Sequence, residues 1–265
     1  MKRLASLTLL TAFAVSAGAT GEDDWKLRIK KEADGWSASF SGPIQYGSGH
    51  NRIKGSGIKV EKTRALGGFS KLRIEGPFDV RLTQANSDQV TVVADDNIEP
   101  LVETAVEGDS LVVRMKRDAG FTTRSAPVVR VDARMLQAAT VNGSGDLTVE
   151  RLKGEGFSLN VSGSGDVHVG LVELKDLSVG ISGSGDVRLA GRAEQQSWTI
   201  SGSGDVDARA LAGRTAKVSI NGSGDVALGV TEQLDVQLSG SGDLSYAGRP
   251  QLRQSVSGSG EIHRR

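Results

Sequence analysis

The amino-acid sequence predicts an all-β protein that folds as a β-solenoid, a single-stranded right-handed parallel β-helix with coils of 18 to 20 residues. Between Asn142 and Glu261 the order Ser or Asn, Gly, Ser, Gly, acid occurs seven times, at steps of 20, 20, 19, 20, 18 and 18 residues. A fixed period near twenty is typical of stacked units that bury one continuous core. Because such units are too short for a strand-helix-strand crossover, we expect successive units to stack as parallel rungs.

Residues on both sides of the motif alternate between apolar and polar, which predicts strands with one buried face. Counted from the acid as position 0, positions −5 and +1 are aliphatic in every unit. These residues are Val141, Val161, Ile181, Ile200, Ile220, Leu238 and Val256 at −5, and Leu147, Val167, Val187, Val206, Val226, Leu244 and Ile262 at +1. Each buried side chain in such a column contributes roughly 1.5–3 kcal/mol. We expect the two glycines to point inward at a tight bend with positive φ, and the Ser, Asn and acid side chains to point outward.

The outward acids form the candidate site. They are Asp146, Asp166, Asp186, Asp205, Asp225, Asp243 and Glu261. Carboxylates about 4.8 Å apart on neighbouring rungs repel one another by ~1 kcal/mol per pair in water, so something must compensate for the repulsion. One interpretation is that each acid accepts hydrogen bonds from Ser hydroxyls and backbone N–H groups of its own or the next turn. The alternative is a cation such as calcium bound between rungs.

Cofactors and catalytic residues are not predicted. One acid per rung supplies few ligands, so calcium remains only the alternative. His50, His168 and His263 are far apart in the sequence and do not indicate a metal or catalytic cluster. The motif lacks the Lys-Ser or Lys-Thr of a phosphate-binding loop, and a nucleophile elbow would need a following helix with His and acid partners. Seven equal copies also argue against catalysis, since an active site is normally a unique arrangement.

The upstream half carries a weaker version of the pattern, so residues 55–265 are predicted to form one solenoid, irregular at 55–136 and regular at 137–265. Leu72, Ile74, Asp79 and Val80 occupy positions −7, −5, 0 and +1 of the downstream register. Further predictions are strands at 89–94, 110–115 and 127–133, one short helix or a lateral loop at 97–105, and an echo of the motif at 53–58.

The N-terminal region predicts export. Residues 1–19 combine a basic start, an apolar run and a small-residue cleavage pattern, as in a secretory signal peptide, and 20–54 are expected to be a partly flexible leader or an N-terminal cap. The chain has no cysteine to form a disulfide or carry a lipid, and no other stretch approaches the ~20 apolar residues of a membrane span. The mature protein is therefore predicted to be periplasmic or secreted, without a transmembrane helix.

The charge composition gives no reason to expect partners that bind through electrostatic attraction. Without Lys2 and Arg3 of the signal peptide, the chain has 30 basic and 32 acidic residues and is therefore nearly neutral. Nucleic acid and anionic membranes are not predicted to bind.

An ordered series of features resembles a known family. Residues 68–82 (GFSKLRIEGPFDVRL) are followed by Val-Thr-Val at 90–92, Gly-Asp-Ser-Leu-Val-Val at 108–113 and then the repeated motif. Over about 55–265 this series resembles the bacterial family called putative auto-transporter adhesin, head GIN domain. The resemblance implies an exported β-helical domain whose biochemical activity is not established. Autotransport itself needs a barrel of membrane strands of ~10 residues each, and no such translocator is expected in this sequence.

These observations predict an exported, non-enzymatic β-solenoid with a structural, adhesive or envelope-interaction role. The expected partner is a surface glycan or another envelope component. A second copy of the chain is a further predicted partner, docking on the exposed strand edges of the final rung at 257–262. The alternative function is a carbohydrate-active or polysaccharide-binding β-helix that uses outward acids such as Asp166, Asp186 and Asp205.

Overall fold

The computed structural model describes residues 26–32, 35–41, 44–47 and 52–265. The chain divides into two compact units, one ending at residue 43 and the other beginning at residue 44. In the first unit, strands β1 (Lys26–Glu32) and β2 (Gly35–Ser41) form an antiparallel hairpin. The predicted signal peptide, residues 1–19, lies outside the described residues. The part of the chain that the structure describes contains no apolar helix with the length that a bilayer crossing requires.

The second unit is built almost entirely of strands. Its first part, residues 52–133, is called the entrance here; residues 138–264 are called the repeated stack. The strands up to the end of the entrance are β3 (Ile44–Tyr46), β4 (Ile53–Lys54), β5 (Lys59–Arg64), β6 (Lys71–Glu75), β7 (Asp79–Gln84), β8 (Gln89–Asp95), β9 (Val102–Glu107), β10 (Ser110–Met115), β11 (Phe121–Thr123) and β12 (Val128–Ala133), with a 3-10 turn at Glu99–Leu101. Those of the repeated stack are β13 (Ala138–Val141), β14 (Leu147–Lys153), β15 (Gly156–Val161), β16 (Val167–Ile181), β17 (Val187–Ile200), β18 (Val206–Ala212), β19 (Thr215–Ile220), β20 (Val226–Gly229), β21 (Gln233–Leu238), β22 (Leu244–Ala247), β23 (Gln251–Val256) and β24 (Ile262–Arg264).

The predicted β-solenoid is confirmed. The strands that precede the motif pair in parallel from β6 through β13 and β15 to β23, and the strands that follow it pair in parallel from β7 through β14 to β24. Equivalent positions stack directly, so that Ile181 pairs with Ile200 and Ile200 with Ile220. The −5 and +1 columns are buried in every rung before the last. The alternation in the sequence therefore identified the inward face of both sheets.

Two buried features of the stack were not anticipated, namely a column at position +6 and the polar contact between Trp198 and Gln196. Leu152 and Val172, which pair at position +6, form an additional inward column beyond the predicted ones. Trp198 is fully buried at position −7, and its Nε1 donates to the Oε1 of buried Gln196 at 3.1 Å. Gly213 in the next rung leaves space for this pair, since a Cβ there would lie 2.2 Å from the Gln196 Nε2.

Differences in coil length are absorbed away from the motif. The pairing register shifts between Val169 and Val172, in the bend that follows the second sheet. Gly191 in that bend has a φ of 116°, and a Cβ there would meet the Val172 carbonyl oxygen at 2.2 Å. Gly248 has a φ of 112° and a similar contact with the preceding rung. Left-handed glycines of this kind let the bend lose a residue while the motif corner stays in register.

The order of rungs in the entrance differs from their order in the sequence. Strand β10 pairs in parallel with β6, and β12 pairs in parallel with β7, on the edges opposite to β13 and β14. The rung formed by 110–133 therefore lies ahead of the rung formed by 71–84. Beyond it, β9, β8 and β5 add antiparallel strands.

Two local expectations in the entrance are wrong. Only Glu99–Leu101 of the segment 97–105 is helical, as a single 3-10 turn, and strand β9 begins at Val102 because it pairs with β10. The echo of the motif at 53–58 does not form a rung corner; its strand β4 pairs instead with β11. The strands predicted at 89–94, 110–115 and 127–133 are present as β8, β10 and β12, with small differences at their ends.

Candidate functional site

The glycines of the motif stack on one another from rung to rung. A Cβ added to Gly163 would lie 1.8 Å from the Gly143 carbonyl oxygen, and a Cβ on Gly183 would lie 2.0 Å from that of Gly163. Among the described motif glycines of the seven repeats, only Gly258 has a positive φ, at 147°. The expectation that positive φ explains these glycines is therefore wrong for the others. Glycine is needed because successive backbones approach too closely for any side chain.

The outward acids form a continuous hydrogen-bonded ladder, called the acid ladder here. The backbone N–H of each acid donates to a carboxylate oxygen of the acid in the preceding rung. The six steps run from Asp166 to Asp146, Asp186 to Asp166, Asp205 to Asp186, Asp225 to Asp205, Asp243 to Asp225 and Glu261 to Asp243, with N···Oδ1 distances of 2.8 to 2.9 Å. The carbonyl of each acid also accepts the N–H of the residue that follows the acid in the preceding rung, as from Leu147 to Asp166 at 2.9 Å.

The acid carboxylate thus takes the place of a backbone carbonyl in the rung-to-rung ladder. Hydrogen bonds to a charged group contribute about 1.5–3 kcal/mol, which exceeds the ~1 kcal/mol repulsion expected between neighbouring carboxylates in water. The donor is the backbone amide of the next turn. Among the residues that the structure describes, no group of three or more acidic or histidine side chains is arranged to hold a metal ion.

The acid ladder begins one rung earlier than the repeats suggest. Asp79, which follows Pro77-Phe78 in place of Ser-Gly, donates its own N–H to the Pro127 carbonyl at 3.1 Å. Its carboxylate accepts a hydrogen bond from the Asp146 backbone. Partial burial raises the pKa of Asp79, against the opposing effect of that hydrogen bond. Asp79 thus joins the acid ladder to the rung formed by 110–133, which lies ahead of its own.

A groove of about 370 Å³ runs beside the acid ladder and is called the charged groove here. Four of the seven predicted acids line it, namely Asp186, Asp205, Asp225 and Asp243, together with Arg188, Asp207, Arg209, His263 and Arg265. The other three, Asp146, Asp166 and Glu261, lie outside its lining. The lining contains no aromatic residue except the His263 imidazole.

Some charged side chains in and beside the charged groove already pair with one another. The Arg209 Nε donates to the Asp207 Oδ1 at 2.8 Å, and its Nη2 contacts Oδ2. These hydrogen bonds lower the pKa of Asp207 to about 2. The His263 Nε2 lies 3.2 Å from the Glu261 Oε2.

A second groove, of about 620 Å³, lies on the sheet that precedes the motif and is called the polar groove here. Two outward columns line it. One column is Ser158, Ser178, Ser197, Lys217 and Asp235, and the other is Asp176, Gln195, Thr215 and Gln233. Sequence reasoning missed this surface. The available signal was the recurrence of Ser, Gln or Thr at positions −8 and −10 in successive units.

Asp235 in the polar groove has a buried carboxylate oxygen without a hydrogen-bond donor among the described residues. Its Oδ2 accepts a hydrogen bond from the Gln233 Nε2 at 2.8 Å. Its Oδ1 is buried, and no residue that the structure describes donates a hydrogen bond to it. Lys217 and Arg253 are its neighbours in register on the adjoining strands.

Comparison with known proteins supports the fold and the family. No curated protein matches the sequence significantly. A crystal structure of a putative adhesin from Bacteroides fragilis NCTC 9343 is similar with a TM-score of 0.77 and 23% identity, over 80% of this chain and 100% of that one. A putative lipid binding protein from Parabacteroides distasonis ATCC 8503 has a TM-score of 0.69 and 24% identity, over 81% and 100%. A putative adhesin from Parabacteroides merdae ATCC 43184 has a TM-score of 0.66 and 23% identity, over 81% and 99%.

At these identities the structural likeness establishes the fold alone. The sequence itself gives the family, since the model of the family described as putative auto-transporter adhesin, head GIN domain, matches residues 68–250. That range covers the entrance from β6 onward and nearly all of the repeated stack. It contains the features from which the resemblance was drawn, and the chain therefore belongs to this family of adhesin-like domains.

Proposed function

We propose that this chain is a non-enzymatic adhesive domain of the periplasm or cell exterior, and that it holds an extended envelope or surface polymer, such as a glycan, in the polar groove. The adhesin-like family and the putative adhesins among the structural neighbours support an adhesive role for an exported domain. The predicted signal peptide supports export, although it lies outside the described residues.

The observation that carries the proposal is the regularity of the polar groove. It crosses five neighbouring strands, β15, β16, β17, β19 and β21, and so extends over four strand spacings, roughly 19 Å. Most of its outward side chains are hydroxyls and carboxamides, which both donate and accept hydrogen bonds. A surface that repeats the same chemistry along its length suits a polymer that also repeats.

The acid ladder supports the non-enzymatic part of the proposal. A general acid and a general base need different environments so that one carboxyl is protonated while the other is ionised. The ladder acids instead share one arrangement, in which the carboxylate accepts the amide of the next rung. This arrangement favours a structural role for the acids, because each of them makes the same contact with the next rung.

A matched pair of variants on strand β16 tests the proposal. Ser178 is exposed in the polar groove, whereas His168 is exposed on the other sheet and lies outside both grooves. We expect affinity electrophoresis against a panel of neutral and acidic polysaccharides to find retained polymers. Ser178→Trp should abolish that retention, and His168→Trp should preserve it. Absence of binding across the panel, or equal loss in both variants, would contradict the proposal.

The second candidate function is polysaccharide binding or cleavage at the acid ladder. The observation that favours it is the charged groove, where Asp186 and Asp205 lie beside Arg188 and Arg209. Asp186→Asn keeps an oxygen that can accept the Asp205 amide, so the variant should fold. Reproducible cleavage of a polysaccharide by the purified protein, lost in Asp186→Asn, would establish the enzyme and overturn the non-enzymatic proposal.

Two features of the final rung have opposite effects on the docking of a second copy. Val256 on β23 is 45% exposed, and burying this apolar side chain under a second copy would be favourable. Gln254 and Arg264, however, occupy the inward columns that hold Val236 and Tyr246 in the preceding rung. Inward polar side chains on edge strands oppose stacking. A dimer seen by light scattering and removed by Val256→Lys would support docking; a monomer at every concentration would contradict it.

A further inference from the structure

The charges in the polar groove are few and unbalanced. Asp176, Lys217 and Asp235 are the charged members of its lining, and Arg253, which pairs in register with Asp235, lies just outside the lining. The remaining outward side chains are uncharged hydroxyls and carboxamides. Lys217 and Arg253 flank Asp235, whereas the register neighbours of Asp176 are the uncharged Gly156 and Gln195. A polymer that carries carboxylates or sulfates would therefore be repelled at Asp176, whereas a polymer rich in hydroxyl groups finds both donors and acceptors.

Asp235 gives the groove a position with unused acceptor capacity. An ionised carboxylate accepts hydrogen bonds at both oxygens, and here Gln233 supplies a donor to only one of them. A buried acceptor without a donor is unfavourable, and a ligand donor that reaches it removes that cost. Because the terminal torsion of an Asp side chain is broad, a rotation about χ2 that releases Oδ2 from Gln233 presents a carboxylate oxygen to a ligand in the groove.

Lys217 lies beside Asp235 on the neighbouring strand and offers a donor within the same pair of rungs. Together with Gln233, these side chains place a carboxylate, an ammonium group and a carboxamide at one end of the groove. The other end, at Ser158 and Asp176, has no such combination. The two ends of the groove are therefore chemically different.

We infer that the polar groove selects neutral, hydroxyl-rich polysaccharides over their carboxylated or sulfated forms, and that the end formed by Lys217, Gln233 and Asp235 binds a sugar hydroxyl directly. This inference rests on the proposed function, because it specifies the ligand class of the same groove. Asp235 accepts the hydrogen bond from the sugar, and the serine, threonine and glutamine side chains of the preceding rungs hold the rest of the polymer.

The first experiment compares Asp235→Ala with Gln237→Ala in the full chain, by isothermal titration with the neutral polysaccharide that the panel retains best. Both side chains point outward from β21, but Gln237 is outside the groove lining. Loss of a hydrogen bond to a charged acceptor predicts an affinity about tenfold or more lower for Asp235→Ala, and no change for Gln237→Ala. Circular dichroism confirms that both variants are folded.

The second experiment uses the same polymer in its neutral and carboxymethylated forms. We expect carboxymethylation to weaken binding at low salt, and the difference to shrink as salt screens the groove charges. It should also shrink in an Asp176→Asn variant, which removes one of the two carboxylates. Equal or tighter binding of the carboxymethylated form would overturn the inference.

The outcomes separate this inference from the proposed function. If Ser178→Trp abolishes binding but Asp235→Ala does not weaken it, the groove binds polymer and the assignment of Asp235 is overturned. If no neutral polymer binds while acidic ones bind and are lost in Ser178→Trp, the proposed function stands and the ligand class is overturned. If Ser178→Trp changes nothing, both proposals fail.

Discussion

In the entrance, residues 52–133, a carboxylate is shielded from solvent and held by two cationic side chains. Glu99 is 2% exposed, and its two oxygens lie 2.8 Å from the Lys62 Nζ and 2.6 Å from the Arg64 Nη2. In the repeated stack, residues 138–264, carboxylates lie at the surface and accept backbone amides of the next rung. The stack thus satisfies its acids through a repeated backbone contact, whereas the entrance depends on partners that occur once.

The entrance and the repeated stack should be sensitive to different kinds of substitution. In the stack, every rung repeats the contacts of its neighbours, so stability approximates a sum over rungs and interfaces between them. In the entrance, the strand order is irregular, and particular ion pairs join distant segments: Asp95 on β8 contacts the Lys59 Nζ at 3.2 Å and the Thr123 Oγ1 at 2.9 Å. A change in the stack should act through backbone spacing, and a change in the entrance through the loss of one partner.

The largest effect is expected from a motif glycine. In Gly183→Ala the new Cβ would overlap the Gly163 carbonyl oxygen, and the rungs would have to separate. We expect the free energy of unfolding to fall by more than about 4 kcal/mol, measured by urea denaturation. Gly154→Ala is the control in the same stack, because its nearest neighbour would be the Leu174 Cδ2 at an ordinary 3.9 Å. Similar stabilities for the two variants would show that close rung spacing is not what requires glycine.

The next largest effect is expected from Glu99 and depends on pH. Burial raises the pKa of Glu99, but hydrogen bonds from Lys62 and Arg64 outweigh burial and hold its pKa below the usual value. A carboxyl with a depressed folded pKa stabilises the fold above its unfolded pKa of about 4.3, and that contribution disappears as the pH falls through the folded pKa. Glu99→Gln should therefore cost about 1.5–3 kcal/mol at pH 7, the contribution of hydrogen bonds to a charged group, and less near pH 3.

Urea denaturation at the two pH values measures this difference. Glu61→Gln is the control, because Glu61 pairs with Arg130 in a salt bridge that is about half exposed on both sides, and such pairs contribute ~0–1 kcal/mol. A Glu99→Gln cost that does not change with pH would indicate that the shape of the side chain, not its charge, stabilises the entrance.

These contrasts also explain how much the sequence could predict. Alternation around the motif was sufficient for the repeated stack, because its strands pair with their nearest equivalents at a constant step. The order of the entrance was not accessible, since the pairing of β10 with β6 and of β12 with β7 joins segments that no periodicity links. The polar groove was missed because its columns lie at −8 and −10, farther from the motif than the positions that define the repeat.

A smaller effect is expected from the acid ladder. Asp205→Ala removes the acceptor of the Asp225 amide, which lies 2.8 Å from the Asp205 Oδ1, but it also relieves repulsion from neighbouring acids. We expect a net loss of about 1–2 kcal/mol, and a smaller one in Asp205→Asn, which keeps an acceptor oxygen. Asp207→Ala removes an exposed ion pair with Arg209 and a long hydrogen bond, 3.3 Å, from the Arg209 backbone N–H, and should cost about 1 kcal/mol or less. An unchanged stability in Asp205→Ala would show that the ladder bonds contribute nothing.

The smallest effect is expected from divalent cations, and it tests whether the ladder acids need any partner besides the backbone. Calcium takes six to eight oxygen ligands at about 2.3–2.6 Å. Each ladder acid from Asp146 to Asp243 already uses its Oδ1 to accept an amide, which leaves one carboxylate oxygen per rung for a cation. We therefore expect the melting temperature to be the same in calcium and in chelator. A melting temperature that rises with calcium in the unmodified protein, but not in Asp205→Ala, would show that the ladder binds cations. The variant assigns the effect to this carboxylate.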